Sequence, residues 1–221
     1  MSSRIIRRGA LATGLVSASL ALAACGGDEG DSTTQASDAA GLTAIKDYLT
    51  AHTAALREKV AAMNDEAERY YQLAESVQFD YSRLLAEHRD EVMGILERSK
   101  EAFVEANPSY EEMEGIVAGV PRLAQYDVDI DAGSNASDPE NAVSFNLDLP
   151  GGNLKQPGNL FFVTETALYG TNPDFLARGV KGDVDGNGRV DFGEGLPDAE
   201  IFRAATQEVV GQSEALDRDA H

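Results

Sequence analysis

The sequence predicts a mainly α-helical protein: a helical bundle with a small extended β segment and an acidic loop near the C-terminus. Three observations lead to this prediction. Apolar residues recur at spacings of three and four through residues 42–103, which is the period of an amphipathic helix. A shorter alternation of apolar and polar residues within 127–149 has the period of a strand. Side-chain oxygens recur at short intervals in residues 183–194, where the sequence is DVDGNGRVDFGE.

Residues 1–24 have the features of a bacterial export signal. Three arginines precede an apolar run of small residues that extends from 10 to 24. The run ends in Leu-Ala-Ala-Cys, which resembles the lipobox of bacterial lipoproteins, where the chain is cut before the cysteine and lipid is attached to its thiol. We therefore expect lipid on Cys25 and a location in the cell envelope, in the periplasm or at the cell surface. The alternative is a short membrane anchor or a buried helix, although a bilayer span needs about 20 apolar residues.

The charge of the chain excludes one class of function. The net charge is -20, and removal of residues 1–24, which contain three arginines and no acidic residue, would bring it to -23. A protein this acidic is not expected to bind nucleic acid. It would also be repelled by an anionic membrane surface, so we expect membrane attachment through the lipid on Cys25 rather than through a basic patch. Cys25 is the only cysteine, so no disulfide can form within the chain.

The mature chain is expected to consist of a tether, one domain and a tail. Residues 25–40 are small and polar, which predicts a flexible tether. Residues 41–216 are long enough for a single domain with a core of its own, and no internal repeat is evident. Residues 217–221 are expected to form a short tail.

The first part of the domain is helical by its pattern. Apolar side chains in 42–63 share one face of a predicted first helix. A break is expected at residues 64–65, because Asp65 and Glu68 have the spacing of a capping box that begins a second helix.

The second helix is expected to end before Pro108, since proline removes a backbone donor and restricts the preceding residue. An interruption near 76–80 is an alternative within it. A third, short helix fits 109–118, which Gly119 and Pro121 would end.

Two segments with alternating polarity, 127–131 and 143–149, are predicted to be half-buried strands. A strand would place Asp127, Asp129 and Asp131 on a single face. We interpret that face as solvated, and a second metal site is the alternative, because crowded carboxylates repel one another unless a cation joins them.

Residues 183–194 match the calcium-binding loop of the EF-hand type at every required position. Positions one, three, five, nine and twelve of such a loop carry oxygen-bearing side chains, position seven gives a carbonyl oxygen and position six is glycine, here Gly188. Val190 at position eight is expected to tie the loop to the core. Calcium is a hard cation that prefers oxygen ligands, so we expect Ca²⁺, with an ordinary acidic turn as the alternative. The expected ligands are Asp183, Asp185, Asn187, Arg189 through its carbonyl oxygen, Asp191 and Glu194.

The flanks of the loop favour a structural role for the ion. Asn172 and Pro173 can begin only a short helix, because Gly179 follows, and a new helix is expected to start near Pro197. A calcium sensor needs two long helices that change their angle. The loop is present once and resembles dockerin-like extracellular modules, so we expect a clip rather than a switch.

The sequence contains no positive signal for an enzyme. His52 and His88 fall at helical positions, and we interpret each as a partly buried, hydrogen-bonded side chain. His88 and Glu91 share a helix face, but no zinc-protease, nucleophile-elbow or phosphate-loop motif accompanies them.

Three segments resemble imelysin-like lipoproteins, including the EfeO-type components of bacterial iron uptake. Residues 110–118 (YEEMEGIVA) and 130–132 (IDA) look like two motifs of that family. Residues 162–170 (FVTETALYG) are similar to the place where the family has a GxHxxE motif. The resemblance implies a helical, extracytoplasmic binding protein.

The resemblance also implies a candidate second metal site made by Glu111, Glu114 and Glu165. Phe162 stands where the family motif has histidine, which puts transition-metal binding in doubt because imidazole is the ligand best suited to iron, copper or zinc. The alternative is that Glu165 is a structural residue on a helix covering 159–169.

These features together predict a non-enzymatic lipoprotein that binds calcium, as an imelysin-like component of a metal-uptake or envelope system with a membrane transport or envelope protein as partner. One alternative is a structural or adhesive surface lipoprotein in which calcium only stabilises the fold. A third is an enzyme of the imelysin peptidase-like type, which Phe162 disfavours.

Overall fold

The computed structural model describes residues 31–133, 146–180 and 183–221. The chain divides into two units, Met1–Ala39 and Ala40–His221. The described residues are mainly helical, which confirms the predicted fold class at that level. In chain order the elements are α1 (Asp31–Ser76), α2 (Tyr81–Gly119), α3 (Ala124–Asp127), a π-helical turn (Val128–Ala132), α4 (Leu160–Leu168), a 3-10 turn (Pro173–Phe175) and α5 (Ala199–Ala220).

The start of α1 corrects the predicted tether. The tether was expected to cover 25–40, but the described chain is already helical at Asp31. Residues 31–40 contain no glycine or proline and include three alanines, so nothing in their sequence ends a helix. The predicted signal and Cys25 lie outside the described residues. In the described part of the chain, none of the helices has the length and apolarity needed to cross a membrane.

Helix α1 is continuous through the break predicted at residues 64–65, so that prediction is wrong. Val60, Met63, Ala67 and Tyr70 are fully buried and remain in phase on one face of the helix. Burial of this stripe outweighs the local capping signal, since helix stability in proteins comes mainly from packing of the apolar face.

The chain instead breaks between Ser76 and Tyr81, where an interruption was the alternative expectation. Gln78 and Phe79 have φ angles of 59° and 58°, in the left-handed region that cannot continue a helix. The side chain of Asp80 then caps α2 by accepting a hydrogen bond from the Arg83 backbone N–H at 3.1 Å.

Helix α2 continues through Pro108 and includes the residues predicted as a third helix. Pro108 is exposed, so the carbonyl group that loses its intrahelical partner can be hydrated. On the opposite side Phe103, Ala106 and Tyr110 are buried and stay in register across the proline. The helix ends at Gly119, as expected.

Helices α1 and α2 pack antiparallel. Lys59 of α1 pairs with Glu105 at 2.6 Å, and Glu66, further along α1, pairs with Arg98 at 2.7 Å, earlier along α2. The residue numbers rise in one helix as they fall in the other, which defines the antiparallel arrangement.

Helix α5 packs antiparallel to α1 as well. Arg203 pairs with Glu68 at 2.6 Å, and near the other end Asp217 accepts a hydrogen bond from the Thr53 hydroxyl at 2.7 Å. Residues 217–220 are therefore the last turn of α5 and not the predicted tail. A buried carboxylate held by a hydrogen bond and an ion pair is part of the folded domain.

Helix α4 forms where the sequence predicted a helix over 159–169. Asn159 caps it by accepting a hydrogen bond from the Phe162 backbone N–H at 2.6 Å. Phe161 points into the core, where its ring packs edge-on against Phe103 and Tyr110 of α2 at 5.5 and 5.8 Å between centroids. Helix α4 therefore lies on the second half of α2.

The strand predicted at 127–131 is wrong, because this segment is helical. Asp127 ends α3 and the following residues form the π-helical turn. Asp127 is buried and accepts a 2.6 Å hydrogen bond from the Tyr110 hydroxyl, a contact that holds the segment against α2. The turn separates Asp129 from Asp127 and Asp131, so the three acids do not share a face.

The second predicted strand, 143–149, is described only from residue 146. Leu147 and Leu154 form one antiparallel bridge, with backbone hydrogen bonds of 2.9 and 2.8 Å. Among the described residues this bridge and one between Leu176 and Pro197 are the only β pairing.

Candidate metal sites

The acidic loop 183–194 lies between the 3-10 turn and α5, and its two ends are fixed to the body of the domain. The backbone N–H of Ala177 donates to the Leu196 carbonyl at 2.8 Å, and Leu176 forms its bridge with Pro197. Leu196 is buried in the core. The loop therefore starts and finishes at neighbouring points.

The end of the loop also touches the end of α4 through two glycines. Gly170 has a φ of 63°, and a Cβ atom at this position would lie 2.3 Å from the carbonyl oxygen of Gly193. Only glycine permits this approach, because any side chain would collide with backbone that cannot move independently.

Arg89 of α2 fastens the start of the loop. Its Nη1 atom donates a hydrogen bond to the Asp183 carbonyl oxygen at 3.1 Å and another to the Val184 carbonyl oxygen. The preceding residue, His88, has non-helical backbone angles (φ -135°, ψ 19°), so α2 is distorted where it meets the loop. The loop thus contacts α2, α4 and the segment before α5.

The first carboxylates of the loop are held by backbone donors. The Asp183 carboxylate accepts hydrogen bonds from the N–H groups of Gly186 and Gly188, at 2.7 and 2.8 Å. Asp185 accepts from the N–H of Asn187 at 2.9 Å. Gly188 has a φ of 86°, which gives the sharp turn expected of the sixth loop position.

Glu194 closes the loop from its other end. Its Oε1 atom accepts hydrogen bonds from the backbone N–H groups of Val184 and Asp185, and the bond from Asp185 is 3.2 Å long. Its Oε2 atom accepts a hydrogen bond from the Asp191 N–H at 2.7 Å. One oxygen each from Asp183, Asp185 and Glu194 lie within 4.8 Å of one another. In the described part of the chain, no other group of three or more acidic, histidine or cysteine side chains converges in this way.

The donors around these carboxylates favour their charged forms. The hydrogen bond from Asp191, assisted by those from Asp185 and Val184, holds the pKa of Glu194 below its ordinary value. Partial desolvation raises the pKa of Asp183, but the N–H groups of Gly188 and Gly186 together outweigh it and leave that pKa lowered. The loop therefore carries its negative charge at neutral pH.

Three of the six predicted calcium ligands converge, and the other three lie close by in the loop. The side-chain oxygen of Asn187 accepts a hydrogen bond from the Arg189 N–H at 2.8 Å, and the Asp191 side chain is exposed and outside the converging group. This arrangement offers oxygen atoms alone, with no sulfur or imidazole ligand. Such a donor set fits a hard cation such as Ca²⁺.

Val190 does not tie the loop to the core, so that expectation is wrong. Its side chain is 70 % exposed, and the neighbouring Phe192 is 95 % exposed. Val184, at the second loop position, is buried in the main core instead, near the place where Arg89 holds its carbonyl oxygen. Helix α2 contacts the loop at its start, so Val184, which follows Asp183, makes the contact with the core.

The acidic residues of the candidate second site lie around a cleft of about 470 Å³ between α2, the π-helical turn and α4. Glu111 and Glu165 line it together with Asp131, which sequence reasoning had placed on a strand. Glu114 is close enough to raise the pKa of Asp131 but is not part of the lining. The ring of Phe162 packs against the ring of Phe175, with 6.2 Å between the ring centroids, and Phe162 does not line the cleft. The acidic side chains of this cleft form no tight group of the kind seen in the loop.

Burial and mutual repulsion dominate the electrostatics of the cleft. Desolvation, with additional repulsion from Glu111, Glu114, Asp127 and Glu165, raises the pKa of Asp131 to about 6. Desolvation and the charge of Asp127 also raise the pKa of Glu114. A carboxylate in this setting gains a proton more readily than one in water.

His52 and His88 are each partly buried beside a carboxylate, which confirms the burial expected of them. His52 Nδ1 lies 3.4 Å from a carboxylate oxygen of Glu112, and His88 Nδ1 lies 3.6 Å from Glu91. Both histidines are partly buried. Neither joins a converging group of metal ligands among the described residues.

Comparisons with protein-family models, with curated proteins and with solved structures gave no match to this chain. The similarity of its short motifs to imelysin-like lipoproteins stays a prediction.

Proposed function

We propose that this protein binds one calcium ion through the EF-hand-like loop 183–194 and that the ion stabilises the domain. The observation that carries the proposal is the convergence of Asp183, Asp185 and Glu194 within 4.8 Å. Like charges at this separation repel strongly unless a cation joins them, and the lowered pKa values of Asp183 and Glu194 favour the ionised state of those two groups. A divalent cation would remove the repulsion, and Asn187 with the Arg189 carbonyl would complete its oxygen ligands.

A stabilising role follows from what the loop contacts. Arg89 joins it to α2, Gly170 joins it to the end of α4, and Leu196 leads from it into the core before α5. Among the described elements, only the short 3-10 turn Pro173–Phe175 precedes the loop and α5 follows it, so the loop does not join two long helices that could change their angle. Calcium bound here would hold three parts of the domain together, acting as a clip.

The expected setting of this clip is the bacterial cell envelope, with lipid on Cys25 as the membrane anchor. A chain without an internal disulfide gains from a stabilising ion in an extracytoplasmic compartment. Extracellular calcium modules bind at about 10⁻⁴ to 10⁻³ M, so even a weak site would be filled there. We propose a non-enzymatic role, as a binding component that works with a membrane transport or envelope protein.

Calorimetric calcium titration and thermal melting of the protein test this proposal. Calcium is expected to bind with a stoichiometry of one and to raise the melting temperature, because a ligand that binds only the folded state stabilises it. Asp183→Ala is expected to remove both effects, whereas Glu214→Ala, an exposed carboxylate on α5, keeps them. Equal stabilisation of the Asp183 variant would place the ion elsewhere.

A second candidate function is cation binding in the acidic cleft, which the imelysin resemblance implies. The observation in its favour is that Glu111, Asp131 and Glu165 line one cleft whose lining contains no basic residue. Titration with iron or copper, comparing the native protein with Glu165→Gln, tests it. Identical binding by both proteins would exclude Glu165 as a ligand.

A further inference from the structure

Residues 38–48 of α1 present an apolar face that nothing in the described chain covers. All side chains from residue 38 to Tyr48 are exposed, and Leu49 is the first buried one. Leu42 and Ile45 are 69 % and 51 % exposed, although they continue the same apolar stripe that is buried further along the helix. An exposed pair of large apolar side chains beside a groove marks an interaction surface more than isolated ones do.

The exposed face borders an apolar groove of about 300 Å³ at this end of the domain. Ile116 and Val120 line it from the end of α2, opposite Leu42 and Ile45 of α1. Lys46 and Arg122 are also part of the lining, and none of the lining side chains is acidic. Apolar and basic groups therefore occur together at one end of the molecule.

This combination is unusual for the chain as a whole. The net charge is -20, yet the groove contains two basic side chains and no acidic one. Lys46 donates to the main-chain oxygen of His221 at 2.7 Å, and Arg122 makes no ion pair within the described residues. The Arg122 charge is thus available to an anionic partner, and Lys46 keeps two further N–H donors beside it.

The position of this end in the chain points to one partner. Leu42 follows Cys25, the predicted lipid attachment site, by 17 residues. Because α1 is the first described element, this end of the domain is the part nearest along the chain to the predicted anchor. A second copy of the chain would bring Lys46 and Arg122 close to their own counterparts, and like charges oppose such pairing.

We infer that one surface of the domain rests on an anionic phospholipid bilayer. This docking surface is formed by Leu42, Ile45, Ile116, Val120, Lys46 and Arg122. Leu42 and Ile45 enter the interfacial region, and the two cations meet lipid phosphates, as in other interfacial helices. The overall charge repels an anionic membrane, but this local surface attracts it. The inference goes beyond calcium binding and requires neither the loop nor the acidic cleft.

Tryptophan fluorescence tests the docking surface directly, because the chain contains no tryptophan. The full chain is reconstituted in vesicles of phosphatidylglycerol and phosphatidylcholine, as Leu42→Trp or, for control, as Val104→Trp. Val104 is an apolar side chain of α2 that is 59 % exposed, like Leu42 in character but outside the surface. We expect the tryptophan at position 42 to emit at shorter wavelength and to be quenched by brominated lipid, and the control to remain water-like.

Further arms of the experiment separate the membrane from other partners. Lys46→Glu with Arg122→Glu in the Leu42→Trp background is expected to abolish the shift, as is replacement of phosphatidylglycerol by phosphatidylcholine. Ile45→Trp provides a second reporter in case position 42 does not tolerate the change. Water-like emission from both reporters in vesicles would overturn the inference. So would a shift without vesicles that grows with protein concentration, since it would assign the surface to a second copy.

Discussion

Carboxylates cluster in two regions of this protein, and their surroundings shift the pKa values in opposite directions. In loop 183–194 the carboxylates accept hydrogen bonds from backbone N–H groups, and the pKa values of Asp183 and Glu194 are lowered. In the cleft beside α4, Asp131 is partly buried near the charges of Glu111 and Glu165, and its pKa is raised to about 6. The local donors, not the number of acids, decide whether a carboxylate cluster is ready for a cation.

The difference has a consequence for cation binding. The loop bears its charge over the whole neutral range, so a cation meets ionised ligands already turned towards a common point. In the cleft a cation has to displace a proton from Asp131 at mildly acidic pH and then draw more widely spaced side chains together. The comparison therefore favours the loop over the cleft as the place of the proposed calcium ion.

Glu194→Gln should produce the largest effect. The amide keeps the size of the side chain but loses the charge and the bidentate carboxylate, so we expect calcium affinity to fall by about 100-fold. Glu165→Gln makes the same chemical change in the cleft and should leave the affinity unchanged. Calorimetric titration of both variants measures the contrast, and a loss of affinity in the cleft variant alone would reverse the assignment.

Gly170→Ala should destabilise the junction between the two regions, because Gly170 follows Tyr169 of the cleft and contacts Gly193 of the loop. A Cβ would collide with backbone there, so we expect a loss of about 2–3 kcal/mol in the free energy of unfolding. Gly211→Ala in α5, where a Cβ would meet nothing within 4 Å, is the control. It should be neutral or stabilise by about 0.5–1 kcal/mol in urea unfolding.

Arg89→Met tests how far the loop depends on α2. The variant keeps the aliphatic stem but loses the hydrogen bonds to the carbonyl groups of Asp183 and Val184, so we expect a loss of about 1.5–3 kcal/mol. Arg83→Met removes an exposed pair with Glu87 on the same helix and should leave the unfolding curve nearly unchanged, because exposed ion pairs contribute little to stability. Equal effects in the two unfolding curves would mean that Arg89 does not hold the loop.

Asp131→Asn should stabilise the protein at neutral pH. The folded state binds the Asp131 proton more tightly than the unfolded state does, so wild-type stability falls as the pH rises from about 4 to 6. Asparagine cannot ionise, and after allowance for solvent screening we expect a gain of about 1 kcal/mol at pH 7. The gain should disappear at pH 4 in urea unfolding, and a constant difference at both pH values would refute the electrostatic cause.

The helical class and the ends of several elements could be predicted because their signals are local. Asn159 and the glycine at position 119 mark the ends of α4 and α2 within the sequence itself. The predicted breaks at 64–65 and Pro108 failed because burial of a stripe that faces other helices overrides a local cap or a proline. The strand at 127–131 failed for a related reason, since the contact between Tyr110 and Asp127 leaves no trace in the alternation of polarity.

The loop and the cleft also differ in how far their carboxylate clusters could be predicted from the sequence. The candidate ligands of the loop lie within twelve consecutive residues, so their spacing alone predicts that they lie near one another, and three of the six converge. The cleft joins Glu111, Asp131 and Glu165 from three separate elements, and only the packing of those elements brings Asp131 into the same cleft as the other two. The exposure of Val190 was likewise unpredictable, because it depends on which side of the loop meets α2.

A calcium titration followed by ¹H–¹⁵N NMR of the protein tests the central claim most directly. The amides of Gly186 and Gly188 donate to the Asp183 carboxylate, so calcium bound to that carboxylate should shift their signals strongly. We expect these shifts to saturate at one equivalent while signals around Glu111 and Glu165 stay unchanged. Shifts centred on the cleft, or none at either place, would contradict the account.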